Sequence, residues 1–128
     1  MNFRTILGAL VVMAVALPVF CAQPDAPKPK QFLGILRLVE RLQGDAPWTK
    51  EDEAAVSKHF QRLKEEAKNR KVILAGLTFE PGDKTMGLVI FEANSLEEAR
   101  QFMTADPAVV AGVMTTEVRP YFVAIQRD

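Results

Sequence analysis

The sequence predicts one α+β domain with the element order β-α-β-β-α-β, preceded by an export segment and a short tether. Three observations predict it. Four apolar runs of strand length are bounded by turn signals, two stretches between them carry the 3.6-residue period of a helix lying on a sheet, and the two kinds follow one another in that order. Two helices covering one face of a four-stranded sheet is the split βαβ, or ferredoxin-like, arrangement.

The chain opens with Arg4 and an apolar run from Ile6 to Phe20, shorter than the ~20 residues that a membrane-spanning helix needs. Residues 1–22 therefore read as a signal peptide, with cleavage after Cys21 or after Ala22, and the mature protein as exported, periplasmic or secreted, with no stable membrane span. A lipoprotein anchor on Cys21 fits less well, because Phe20 stands where such signals place a small residue. Residues 23–30 carry Pro24, Pro27 and Pro29, which fix an extended backbone and make a tether. The domain is residues 31–128.

Gln31 to Val39 alternates as a first strand, with Phe32, Gly34, Leu36 and Leu38 on one face and Leu33, Ile35, Arg37 and Val39 on the other. After a loop with Gly44, Asp45 and Pro47, Thr49 caps a helix whose first turn is acidic and whose apolar stripe is Val56, Phe60, Leu63 and Ala67. Val72 to Glu80 and Met86 to Ala93 form a hairpin around Pro81-Gly82-Asp83-Lys84. Ser95-Leu96-Glu97-Glu98 reads as a capping box for a second, shorter helix, and Asp106-Pro107 starts a further helical turn that Gly112 ends. Val113 to Gln126 is the last strand, and Pro120 marks it as an edge or a bulge. Four strands this apolar need a cover on the face away from the helices, so the sequence predicts a homodimer packed sheet to sheet around a partly polar hollow.

Composition excludes several function classes. Beyond the export segment, 15 basic residues stand against 16 acidic, which gives no cationic surplus for nucleic acid. His59 is the single histidine and Cys21 the single cysteine, so no zinc set can be assembled, and no metal or cofactor is expected. No glycine-rich phosphate loop and no serine elbow is present. What remains is a short set of candidates. His59 falls about 70° from the centre of the first helix's stripe at 100° per residue, where it is either a half-exposed helix histidine or an acid-base group at a cavity rim. Asp106 before Pro107 reads as a helix cap that has a second carboxylate oxygen to spare. Arg37 and Arg119 either bind an anionic group or pair with residues such as Glu117, Tyr121 shares the last strand's polar face, and Trp48 either staples its loop or covers a pocket mouth.

The segments His59-Phe60-Gln61-Arg62-Leu63, Ile73-Leu74-Ala75-Gly76-Leu77, and Ser95-Leu96-Glu97-Glu98-Ala99 running on through Ala105-Asp106-Pro107, Ala111-Gly112-Val113 and Val118-Arg119-Pro120-Tyr121 resemble the YciI-like family, the YCII-related domains of the dimeric α+β barrel group. The likeness spans roughly Gln31 to Ile125. It implies a ferredoxin-like homodimer with a His-Asp dyad formed by His59 and Asp106, and small phenolic or lactone-like substrates. Two functions follow as expectations. One is a cofactor-free lyase or isomerase using the dyad, with Arg37 or Arg119 steadying an oxyanion; the other is a non-catalytic module that binds a small ligand or a protein.

Overall fold

The computed structural model describes residues 29–128. The signal peptide and all but the last two residues of the tether lie outside them. The elements are β1 (Lys30–Leu38), α1 (Lys50–Lys68), β2 (Val72–Leu77), β3 (Gly87–Ala93), α2 (Leu96–Thr104), α3 (Pro107–Val110) and β4 (Met114–Tyr121), with single 3₁₀ turns at Glu40–Leu42 and Gly82–Lys84. Lys30, assigned from sequence to the tether, is already in β1, paired with Ala93. The four strands form one antiparallel sheet in the order β2-β3-β1-β4. This is the ferredoxin-like fold that the element order predicts. Pro120 lies on β4, an edge strand, where a missing amide costs least.

Alternation along the strands decides the two faces. Phe32, Leu36, Val89, Phe91 and Ala93 point to the helices and are buried with Leu63 of α1 and Ala99, Phe102 and Met103 of α2. Gly34 belongs to the same face because Met103 lies across it: a Cβ there would stand 2.6 Å from the Met103 Cε. On the opposite face Leu33, Ile35, Leu88 and Ile90 are partly covered and Leu74 is 62% exposed. A register shift between Val72 and Leu74 turns β2 so that Leu74 shares that open face with Ile90, while Ala75 and Leu77 pair with Val89 and Gly87 on the helix side.

The helix ends follow their local chemistry. Thr49 and Asp52 form a complete capping box at α1. At its other end Arg70 takes a left-handed backbone, φ 64°, and the Lys71 and Arg70 amides bond back to Glu66 and Ala67, a Schellman closure. At α2 the expected box is only half made. Ser95 accepts the Glu98 amide, but the Glu98 carboxylate goes to Asn94 and Lys71 instead of returning to Ser95.

The buried side of α1 is Asp52, Ala55, His59 and Leu63, rotated by one position from the expected stripe, and Phe60 is 52% exposed. The cause is that α1 packs against α3 as well as the sheet. His59 is turned inward and Phe60 toward the space over β2.

Candidate active site

His59 and Asp106 are 47 positions apart and meet because α1 and α3 lie side by side. Asp106 is the N-cap of α3, with extended backbone before Pro107, and its Oδ1 accepts the Ala108 amide at 2.9 Å. Its Oδ2 lies 2.8 Å from the His59 Nδ1. Both side chains are buried, the histidine 4% and the aspartate 1% exposed.

The protonation pattern follows from the donors. Burial is the strongest single influence on Asp106 and acts to raise its pKa; the His59 hydrogen bond and charge, the Ala108 amide and the Arg62 guanidinium together outweigh it, and the carboxyl is held below its ordinary value. An ionised carboxylate only accepts, so the Nδ1 of His59 carries the proton and donates. In the neutral ring the Nε2 lone pair is then free.

A third residue completes the cluster. Arg62, three positions beyond His59, reaches the same Asp106 Oδ2 at 3.4 Å, donates to the Phe102 carbonyl at 2.8 Å, and stands 4.2 Å over the Phe102 ring. The spacing of i and i+3 places the two side chains on neighbouring parts of one helix surface, and is the signal that could have found it.

The imidazole forms part of the wall of a cavity of about 490 Å³ between α1 and the β2-β3-β1 part of the sheet. Val56, Phe60, Leu63 and Ala67 of α1 line one side, and Leu36, Val72, Ala75, Leu77 and Val89 the other. Since the Nδ1 is turned to Asp106, the Nε2 is the nitrogen left to face this space. The cavity is largely apolar and lies under α1, because the inward turn of His59 leaves the stripe residues to line it; the partly polar hollow expected on the open sheet face is a different place, formed only with a second copy. Among the described residues no three His, Cys, Asp or Glu side chains gather as a metal site.

The model of the YCII-related domain matches residues 35–122, from the middle of β1 to just beyond β4. The chain belongs to the YCII-related domain family. Both His59 and Asp106 lie within the matched span. No curated protein matches the chain. Among solved structures, this YCII-related chain is similar to 5-chloro-2-hydroxyhydroquinone dehydrochlorinase from Burkholderia phenoliruptrix, determined with 2,5-dihydroxybenzoquinone, at 21% identity and a TM-score of 0.46, covering 71% of this chain and 93% of that one.

The remaining sequence candidates of this YCII-related domain divide by place. Trp48 lines the cavity, and Arg37, exposed at the end of β1, borders it. Arg119 and Tyr121 do not join them. They share the open face with Thr115 and Glu117, on the other side of the sheet from the dyad, and Arg119 pairs with Glu117. Strand alternation explains the separation: their neighbours Val118 and Met114 pack toward the core. Sequence reasoning passed over Arg62 of the dyad cluster and, in the cavity wall, Lys64 and Thr85. Thr85 enters only through the fold of the β2-β3 connection, which no local pattern encodes.

Proposed function

We propose that this chain is a cofactor-free enzyme of lyase or isomerase type that moves a proton on a small organic molecule, phenolic or lactone-like in class. The Nε2 of His59 takes the proton from a substrate O–H or activated C–H and returns it to the product, while Asp106 fixes the ring tautomer and stabilises the transient imidazolium. The observation that carries this reading is the buried 2.8 Å contact between the His59 Nδ1 and Asp106, beside a cavity large enough for a small ligand. A histidine in a purely structural role would have no need of a cavity at its second nitrogen.

The test is a thermal-shift screen of phenols and small aromatic acids against the wild type and His59→Gln. A ligand that stabilises the wild type only, and whose conversion falls by about 10²- to 10⁴-fold in the variant, is the expected result. Equal shifts and equal turnover in both would remove His59 from the site. A ligand that stabilises both proteins and is never converted favours a binding module, a reading that the scarcity of polar groups in the cavity supports.

The working form proposed is an exported homodimer. Its support is the open sheet face, where Leu33, Ile35, Leu74, Leu88 and Ile90 have no helix of the described residues over them. Sedimentation should give a mass of two subunits, and Ile90→Glu should give one. A single-subunit mass for the wild type would sink the dimer, and recovery from the cytoplasmic fraction of a cell would sink export.

A further inference from the structure

The cavity's size and lining bear on which molecules can reach His59. A cavity that holds a single benzene ring measures about 150 Å³, and the one beside His59 is about 490 Å³, some three times larger. A lone hydroxylated ring would leave most of it unfilled. Its walls are apolar, and the large side chains that converge on it, Phe60 at 52% and Leu77 at 61% exposed with Trp48 beside them, are left uncovered by the described residues. Single exposed apolar residues need no explanation, but several around one concavity mark a surface awaiting an apolar partner. The charged residues of its lining are Lys64 and Arg37, and among the described residues no carboxylate lines it. A cationic ligand would find no partner there.

The geometry points to a ligand with one hydrogen-bonding head and a bulky apolar body: a phenol, enol or comparable weak acid carrying an alkyl chain or a second fused ring. The head sits at the His59 Nε2 and the body extends between Ala67 of α1 and Ala75 of β2 toward Phe60 and Leu77. This deepens the proton-transfer reading and rests on it for the placement of the head. The body's preference rests on the cavity alone.

The probes are phenol and its para-ethyl, para-butyl and para-hexyl derivatives, titrated calorimetrically into the wild-type protein. Each methylene buried contributes about 0.8 kcal/mol, which converts to about fourfold in affinity, so the para-butyl compound should bind at least about fiftyfold more tightly than phenol. Two filling variants from opposite walls, Ala75→Phe and Ala67→Phe, both at exposed positions, should flatten the series, each longer chain gaining less over phenol than it does in the wild type. Affinity that stays flat from phenol to the para-hexyl compound overturns the inference. So does a chain-length gain that survives both filling variants, since binding would then lie elsewhere. His59→Gln separates the two readings: unchanged affinities for the whole series end the role of His59 and leave the apolar ligand class standing, whereas a flat series with His59-sensitive phenol binding ends the ligand class and leaves the base in place.

Discussion

Asp52 and Asp106 are both buried aspartates at the beginning of a helix, and both are held below the ordinary carboxylate range, yet their partners give them different uses. For Asp52 the main cause is the Arg41 guanidinium, whose two nitrogens reach its two oxygens at 3.0 and 2.6 Å, followed by the Thr49 amide. The partners of Asp52 are the permanent charge of Arg41 and the amide and hydroxyl of Thr49, so the carboxylate is occupied in closing the helix end. Asp106 gives one oxygen to the same kind of capping task and the other to an imidazole, a side chain whose second nitrogen can take up and release a proton. A buried acid is therefore not informative by itself. A partner with a second, unpaired nitrogen, and an open space beyond that partner, separate the site from the cap.

The comparison can be broken by substitution. Asp106→Ala removes the cap of α3 and strands Arg62 and His59 together, and should cost about 3–5 kcal/mol in urea unfolding, the range for deleting one member of a buried pair. Asp106→Asn should fold better, because an amide can still accept from Ala108. Its NH₂ group would then face the His59 Nδ1 as a donor, so the ring proton moves to the Nε2 and the free base is lost. Nitrogen-15 spectra of the chain's one histidine report that exchange directly, and an unchanged Nδ1–H tautomer would contradict the assignment.

Acid should expose the same pair. Because each carboxyl ionises more readily in the folded than in the unfolded chain, its contribution to stability is complete above the unfolded pKa of about 4 and is lost as the pH falls through the lower folded value. Unfolding curves for the wild type should therefore weaken below about pH 4, and Asp106→Asn and Asp52→Asn should each show a shallower decline. A slope common to all three proteins would show that neither group is responsible. Arg62→Met keeps an aliphatic stem over Phe102 but removes the bond to its carbonyl, an expected loss of about 1–2 kcal/mol by thermal denaturation. It should also weaken ligand conversion without abolishing it. Asp52→Asn has the smallest expected effect at neutral pH, and none on the affinity of any cavity ligand; a change in that affinity would erase the distinction drawn between the two acids.

The order of elements, both helix starts, the turn at Asp106-Pro107 and the edge position of Pro120 were legible in the sequence, because each depends on residues close together along the chain. The pairing of His59 with Asp106 was legible only through family resemblance, since no period or spacing relates residues on two helices. The helix stripe was misplaced by one position for a tertiary reason: a helix that touches only a sheet buries one stripe, whereas α1 must also meet α3, and the compromise buries His59 in place of Phe60. Arg41 and Arg62 escaped notice because surface arginines are common and only distant contacts, to Asp52 in one case and to Asp106 and Phe102 in the other, distinguish these two.

The acid that orients the imidazole stands on a helix of only four residues. So short a turn has no stability of its own in water; it persists because Asp106 holds the Ala108 amide and Ala108 is packed out of reach of solvent. Whenever that turn frays, the carboxylate loses its anchor and the ring beside it is no longer aimed. The lifetime of one amide proton, that of Ala108 in heavy water, is thus a clock for how long the dyad stays assembled.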